Sequence, residues 1–125
     1  MKSPTQNKLD DIFSKFRRKQ ASNEDGILYC FVCQEPVLWK YACVLHWRRR
    51  GLIGTRYETD NVNPGCFACN SRDVKDPSFY FQAMLITYGI DRMQELIELS
   101  NKETHITESE ALGMIEDYKT KLKKL

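Results

Sequence analysis

Two Cys-x-x-Cys pairs, Cys30 with Cys33 and Cys66 with Cys69, constrain the fold of this chain more than any other feature. Each pair offers two thiolates on a tight turn, and a structural Zn²⁺ takes four such ligands in a tetrahedron. We therefore predict that one zinc ion joins the two turns. Such a site is closed and performs no chemistry, so any reaction must come from the residues that the zinc holds in place.

The remaining sequence statistics favour a small protein of a reducing compartment. The five cysteines could form disulfides, but four of them fall in the two evenly spaced pairs and Cys43 is left over. A chain of 125 residues has the length of one domain, and no apolar run approaches the roughly 20 residues of a membrane helix. The N-terminus also lacks the apolar segment of a signal sequence. We expect a soluble, cytoplasmic protein.

The pattern along the chain predicts one α+β domain, residues 1–125, in three parts, of which the first is a helix with a polar linker over residues 1–24. Ser3 and Pro4 are typical of a helix N-cap and first helical position. The helix should end near Gln20. Apolar residues follow its start at helical spacing, as in a buried helix face: Leu9, Ile12, Phe13 and Phe16.

The central part, residues 25–75, should contain the zinc site and short strands. Ile27 to Tyr29 is predicted to be a strand that enters the first Cys pair. Val37 to Trp47 is apolar enough for a pair of strands. Tyr57 to Val62 is consistent with either a further strand or a loop.

The third part, residues 76–125, should be helical. One helix is predicted to start at Asp76-Pro77 and to stop at Gly89. A second should start at Asp91, and a capping box at Thr107 should open a last helix. Nothing on these helices has the spacing of ligands or catalytic groups, so we expect a packing scaffold through which two copies could also form a homodimer. The last helix has a predicted apolar face: Leu112, Ile115 and Leu122.

The segment between the Cys pairs contains a series of potential catalytic side chains. His46 is followed by Asn61 at fifteen residues, and Asn70 comes nine residues after Asn61. A single His beside a Trp is more often a structural residue than a catalyst. The interpretation of His46 as a general base therefore depends on the two Asn that accompany it.

This spacing resembles the HNH motif as it occurs in colicin nuclease domains. Because Asn70 directly follows Cys69, the chain is also similar to the endonuclease VII family. The resemblance implies a ββα-metal (HNH, His-Me) finger stapled by the four-cysteine zinc site and flanked by helices. In such a finger His46 takes a proton from water, Asn61 orients the backbone beside the His, and Asn70 reaches a divalent metal on the scissile phosphate.

A wider set of segments extends over most of the chain. Four of them are Cys30-Phe31-Val32-Cys33, His46-Trp47-Arg48-Arg49-Arg50, Asp60-Asn61-Val62-Asn63-Pro64-Gly65-Cys66 and Cys69-Asn70. In these segments and their order the chain resembles the NinG (Rap) recombination proteins of lambda-like phages. The resemblance implies a nuclease that binds and cuts branched DNA, such as a Holliday junction, D-loop or flap, with Mg²⁺ or Mn²⁺ as the catalytic ion.

One position departs from the HNH pattern. A metal-ligating Asp or His commonly precedes the general base, and this chain has Leu45 there. Asp73, on the same helix face as Asn70, is the predicted substitute ligand, and a solvated helix acid is a nearly equal alternative. Leu45 also keeps a second function open, a zinc-finger DNA-binding or adaptor protein without catalysis. Cys43 is expected to be a small buried apolar residue on the strand face opposite His46.

An arginine cluster adjoins the predicted catalytic residues. The net charge is only +2, but residues 1–60 carry eleven Lys and Arg against seven Asp and Glu. Four arginines around one turn repel one another unless an anion lies there, and phosphate is the natural partner, whereas a solvated loop is the alternative. The predicted DNA contacts are Arg48, Arg49, Arg50 and Arg56.

A second basic cluster lies at the C-terminus. Its position at a helix end suits the negative end of the helix dipole, so we interpret it as a solvated helix terminus. Its members are Lys119, Lys121, Lys123 and Lys124.

Overall fold

A computed structural model of the protein describes residues 3–125, apart from the side chains of residues 73 and 74. Within this part of the chain, five helices and two small two-stranded sheets form a mixed α+β fold. None of these helices is both long and apolar enough to cross a membrane. The helices are α1 (Pro4–Ala21), α2 (Ile53–Arg56), α3 (Phe67–Lys75), α4 (Ser78–Asn101) and α5 (Glu108–Lys123). The strands are β1 (Ile27–Tyr29), β2 (Pro36–Leu38), β3 (Cys43–His46) and β4 (Val62–Gly65).

Helix α1 begins and ends close to the predicted positions. The Oγ of Ser3 accepts a hydrogen bond from the N–H of Gln6 at 3.1 Å, which satisfies one of the free donors of the first turn. At the other end, the hydroxyl and the N–H of Ser22 both donate to the carbonyl of Lys19, at 2.7 and 3.1 Å. Three apolar residues, spaced by four and three positions, form the buried face: Leu9, Phe13 and Phe16.

The hairpin of β3 and β4 separates the two hydrophobic clusters of the protein. In an antiparallel pair, partners across the strands share a face, and successive residues alternate between faces. His46 lies opposite Val62 on the face that α1 and α5 cover. Leu45 lies opposite Asn63 on the other face, which packs against α4 and the cysteines. Helix α3 follows β4 directly, so the chain order is strand, long loop, strand, helix.

The prediction of a strand pair within residues 37–47 is wrong in its pairing. Strand β2 pairs with β1, and β3 pairs with β4, with a short 3₁₀ turn between β2 and β3. The first Cys pair explains the difference, because the N–H of Cys30 donates to the carbonyl of Glu35 at 2.9 Å and returns the chain beside β1. Of the two alternatives for residues 57–62, the loop is observed, and β4 begins at Val62.

Helix α4 is bent at Gly89, where the sequence predicts a stop. The backbone of Gly89 has φ 82° and ψ 166°, a conformation that favours glycine. The predicted stop at Gly89 and new start at Asp91 are thus confirmed as a break in helical geometry. Both halves contribute to the same cluster as the hairpin, through four buried residues: Tyr80, Met84, Met93 and Leu96.

The apolar face of α5 differs by one position from its prediction. Leu112 is 50% exposed, whereas the buried residues are Ala111, Ile115 and Tyr118. An alanine and a tyrosine therefore carry part of the stripe that faces α1, and neither is a strong apolar signal in a sequence. The predicted capping box is present, since the N–H of Glu110 donates to the Oγ1 of Thr107 at 3.1 Å.

The contact between α2 and α4 leads to a prediction about two glycines. A Cβ at Gly54 would lie 2.3 Å from the backbone oxygen of Leu99, which cannot rotate away. We expect Gly54→Ala to lower the free energy of unfolding by about 1–3 kcal/mol, as overpacking does. Gly113→Ala is the matched control in α5, where a Cβ meets nothing within 4 Å, and it should stabilise the protein by roughly 0.5–1 kcal/mol. Urea unfolding measures both, and a Gly54→Ala variant as stable as wild type would contradict this contact.

Candidate functional site

The two predicted Cys pairs lie together in the fold. The Sγ atoms of Cys30, Cys33, Cys66 and Cys69 all lie within 4.8 Å of one another, and those of Cys33 and Cys66 are 3.7 Å apart. Zinc–sulfur bonds of about 2.3 Å in a tetrahedron place the sulfurs roughly 3.8 Å apart. The four thiols can therefore hold a metal such as zinc. We call them the four-cysteine cluster.

Two turns position these thiols. The first turn is closed by the N–H of Gln34, which donates to the carbonyl of Cys30 at 2.9 Å, and Gln34 itself adopts a positive φ of 65°. In the second turn Cys66 is the N-cap of α3, and its Sγ accepts a hydrogen bond from the N–H of Cys69 at 3.4 Å. Together the two turns bring the four sulfurs within the range of one metal ion.

The geometry predicts one zinc ion per chain in the purified protein, measured by elemental analysis. Cys69→Ser should lose the ion and unfold, because the binding free energy of a structural zinc is largely folding free energy. Cys43→Ser is the matched control, since Cys43 is not part of the four-cysteine cluster, and it should keep its zinc. Protein that contains no zinc, or a disulfide between Cys30 and Cys66, would contradict the prediction.

A cleft of about 500 Å³ lies between α1, the hairpin and the loop that connects β3 to β4. We call it the His46 cleft. It brings together two of the three predicted catalytic residues, His46 and Asn70, with three of the four predicted arginines: Arg49, Arg50 and Arg56. Helix α1 and the hairpin supply further lining residues: Asp10, Asp11, Phe13, Ser14 and Val44.

The imidazole of His46 is held in one orientation. Its Nε2 lies 3.2 Å from the carbonyl oxygen of Arg56. Because a carbonyl only accepts, Nε2 carries the proton and Nδ1 keeps its lone pair. Burial lowers the pKa of His46 to about 4, and the charges of Arg50 and Arg56 act in the same direction. The ring is therefore neutral at pH 7 and able to accept a proton.

Burial of the neutral ring makes folding stability depend on pH. The pKa of a histidine in an unfolded chain is about 6.5, whereas that of His46 in the fold is about 4. As pH falls between these values, the unfolded chain binds the proton first, so this contribution, fully present above pH ~6.5, is lost. We expect the free energy of unfolding to fall by on the order of 2–3 kcal/mol across this window. Urea unfolding at each pH measures it, and a His46→Gln variant with the same pH profile would refute the assignment.

Asp10 connects α1 to the backbone that orients His46, and the sequence analysis missed it. Its carboxylate accepts hydrogen bonds from Nε and Nη2 of Arg56 at 2.9 and 2.6 Å, from the hydroxyl of Tyr57 at 2.7 Å and from Arg50 at 2.8 Å. Burial opposes ionisation, but these hydrogen bonds and charges outweigh it and hold the pKa of Asp10 well below its usual range. An ionised Asp10 thus fixes Arg56, whose carbonyl contacts His46.

Arg56 has to be removed from the predicted DNA contacts. Its side chain is buried at 4% exposure, and its guanidinium is occupied by Asp10 and by the carbonyl of Arg50 at 3.0 Å. Although Arg56 is among the residues that line the His46 cleft, a guanidinium so buried and paired has little free surface for a phosphate. Nothing in the sequence indicates this pairing, because Asp10 lies 46 residues away and has the pattern of a solvated helix acid.

The other three arginines of the loop face in different directions. Arg48 points to the end of α4, where its Nε donates to the Oγ of Ser100 at 2.9 Å and anchors the loop. Arg49 and Arg50 line the His46 cleft, and Arg50 is exposed there. Only this pair is placed to meet an anion that enters the cleft.

Asn61 is fully buried, and its side chain binds backbone atoms of the loop between β3 and β4. Its Oδ1 accepts from the N–H of Arg48 at 2.7 Å, and its Nδ2 donates to the carbonyls of Arg48 and Thr55 at 3.2 and 3.0 Å. Its own carbonyl accepts from the N–H of Trp47 at 2.9 Å. Asn61 therefore holds residues 47–55 against the start of β4, next to His46.

A second buried asparagine, Asn63, links the hairpin to α4. Its Nδ2 donates to the hydroxyl of Tyr80 at 3.1 Å, and its Oδ1 accepts from the hydroxyl of Tyr88 at 2.7 Å. Tyr80 in turn donates to the carbonyl of Leu45 at 2.6 Å. Asn63 was not among the predicted site residues. Its position two residues after Asn61 was the available signal, because both belong to one short buried segment.

The ligands predicted for a catalytic ion are only partly described. The side chain of Asp73 lies outside the described residues, while Asn70 is exposed on α3 and lines the cleft.

Leu45 is 2% exposed on the hairpin face away from the cleft. Cys43 is half-buried and lies on the same face, as expected. Of the side chains that the structure describes, only the four-cysteine cluster groups three or more His, Cys, Asp or Glu ligands. The described oxygen donors at the cleft include Asn70 and the exposed Asp11.

Comparisons with known proteins found no match for this chain. No family model, no curated protein and no solved structure matches the chain. The function proposed below therefore depends on the residues of the His46 cleft and of the four-cysteine cluster, together with the motifs of the sequence.

Proposed function

We propose that this protein is an HNH-type, metal-dependent DNA endonuclease that acts on branched DNA, as its resemblance to the NinG (Rap) family implies. One observation carries the proposal: a neutral, hydrogen-bonded His46 and the amide of Asn70 line one cleft, beside Arg49 and Arg50. The order β3, loop, β4, α3 is that of a ββα-metal finger, and the four-cysteine cluster would staple the finger with zinc.

Phosphodiester hydrolysis requires a water that loses a proton as it attacks phosphorus and a leaving oxygen whose negative charge is stabilised. In this proposal Nδ1 of His46 takes the proton of the water, a new P–O bond forms, and the bond to the leaving oxygen breaks. The hydrogen bond from Nε2–H to the Arg56 carbonyl fixes the orientation of the ring, and with it the direction of the Nδ1 lone pair. It also stabilises the imidazolium that forms. An anionic phosphate in the cleft raises the pKa of the ring and so makes it a better base.

A divalent ion such as Mg²⁺ or Mn²⁺ would, when bound, neutralise charge on the scissile phosphate and on the leaving oxygen. Such ions prefer oxygen ligands. Asn70 and Asp11 offer these oxygens at the cleft, and Asp73 is the further ligand that the sequence predicts. These residues would supply part of the oxygen ligands of such an ion, and water and the phosphate would supply the rest.

Arg49 and Arg50 are suited to binding the DNA substrate. Arg49 and Arg50 would hold phosphates that flank the scissile bond, and guanidinium–phosphate contacts are independent of base sequence. Contacts of this kind select DNA by the placement of its backbone. This is the basis on which a branched DNA can be distinguished from a linear one.

A second candidate function, a zinc-stapled DNA-binding or adaptor protein without catalysis, is favoured by Leu45. This residue stands where HNH enzymes commonly carry a metal ligand, and it is buried in the hydrophobic cluster beside Cys30 and Gly65. It cannot turn towards the cleft without leaving that cluster. The two functions differ in whether DNA is cut, which a direct assay decides.

The deciding experiment is cleavage of labelled linear, flapped and four-way DNAs with Mg²⁺ or Mn²⁺. We expect His46→Ala to reduce the cleavage rate by about 10²–10⁴-fold, the usual contribution of a general base, with zinc content and junction affinity near wild type. Asn70→Ala should also reduce cleavage but recover partly at higher Mn²⁺, because its assigned role is to hold the ion. His105→Ala is the matched control, since His105 is exposed and is not among the residues of the cleft. If wild type binds junctions but cuts none with any divalent ion, the adaptor function replaces the nuclease.

A further inference from the structure

A groove of about 590 Å³ runs between α1 and α5 and adjoins the His46 cleft. Ile12, Ile115 and Leu122 form its apolar floor. Asp11 lines both the groove and the cleft, so the two surfaces meet at this residue. Lysines from both helices line its two rims: Lys8 and Lys15 from α1, and Lys119 and Lys123 from α5.

The packing of α1 against α5 brings these four lysines together from opposite ends of the chain. Lys119 has a partner, Glu116, at 3.1 Å. Among the side chains that the structure describes, none forms an ion pair with Lys8, Lys15 or Lys123. Among the groove's lining residues Asp11 is the one carboxylate. Four cations facing one another across a groove create a positive potential that an anionic partner would relieve.

We propose that this lysine-rimmed groove binds the phosphate backbone of the DNA arm that leaves the His46 cleft. The inference rests on the proposed function, because the meeting of the groove with the cleft is what identifies the anion as DNA. Seven residues separate Lys8 from Lys15, a rise of roughly 10.5 Å along α1, and phosphates of one strand follow each other by about 3.4 Å along a duplex. The two lysines thus span about three phosphates.

The side-chain chemistry agrees with a backbone partner. Lysine presents a point charge on a flexible stem, which can follow a phosphate without reading a base. The stems can lie along the apolar floor while the ammonium groups stay in water. The lysines of the C-terminal cluster that line the groove, Lys119 and Lys123, would then belong to a binding surface rather than to a solvated helix end.

The test measures binding of the full protein to a fluorescent four-way DNA over a series of salt concentrations. Lys8→Ala combined with Lys15→Ala should flatten the dependence of log K on log salt by about 1.8 units, at roughly 0.9 per lost phosphate contact. Zinc content and circular dichroism should stay as in wild type. On a DNA whose arms are too short to reach the groove, the double variant should bind like wild type. Lys40→Ala is the control, since Lys40 lies on the 3₁₀ turn and outside the groove.

Arg49→Ala provides a reference variant from the His46 cleft. If it flattens the salt dependence and the lysine double variant does not, the groove is no DNA surface and the inference is overturned, while the proposed function stands. An acidic protein segment or solvent would then occupy the groove. If wild type binds no DNA of any shape, the proposed function itself fails. A flatter slope for the lysine variant on long-armed DNA alone supports the inference.

Discussion

The geometry of the His46 cleft depends on one small hairpin being held from both sides. Strands β3 and β4 have four residues each, and an isolated hairpin of that size is at best marginally stable in water. One face is covered by α1 and α5, the other by α4 and the cysteines. A metal bound in the four-cysteine cluster would fix the second side. The cleft lies on the first side, where His46 and Val44 line it.

Charge in the His46 cleft is arranged so that the histidine stays neutral while the carboxylate behind it stays ionised. Asp10 is surrounded by hydrogen-bond donors from Arg56, Tyr57 and Arg50, whereas His46 is half-buried beside two of the same cations. The local excess of guanidinium groups favours the ionised carboxylate and the neutral imidazole alike, and burial adds to the effect on His46. Arg50 both pairs with Asp10 and lines the cleft, so an anion that entered the cleft would compete with Asp10 for it.

Most of the features that could be predicted from the sequence are set by neighbours along the chain, such as the caps of α1 and α5 and the break at Gly89. The close approach of the Cys pairs is a distant contact that could be predicted because a structural zinc requires four ligands. The missed features are contacts between distant segments, such as Asp10 with Arg56, or β2 with β1, for which a single sequence carries no signal. On α5 the prediction chose Leu112 by hydrophobicity, but packing against α1 selected the smaller Ala111 and left the leucine exposed.

The hydrogen bonds of the Asn61 side chain all go to backbone atoms of the loop between β3 and β4. That part of the loop is therefore held through its backbone whichever side chain stands at Arg49, whereas the side chains of Arg50 and Arg56 also bind Asp10. Exchange of Arg49 would change the surface of the cleft and leave the hairpin as it is. The frame and the surface that it presents can in this way change separately.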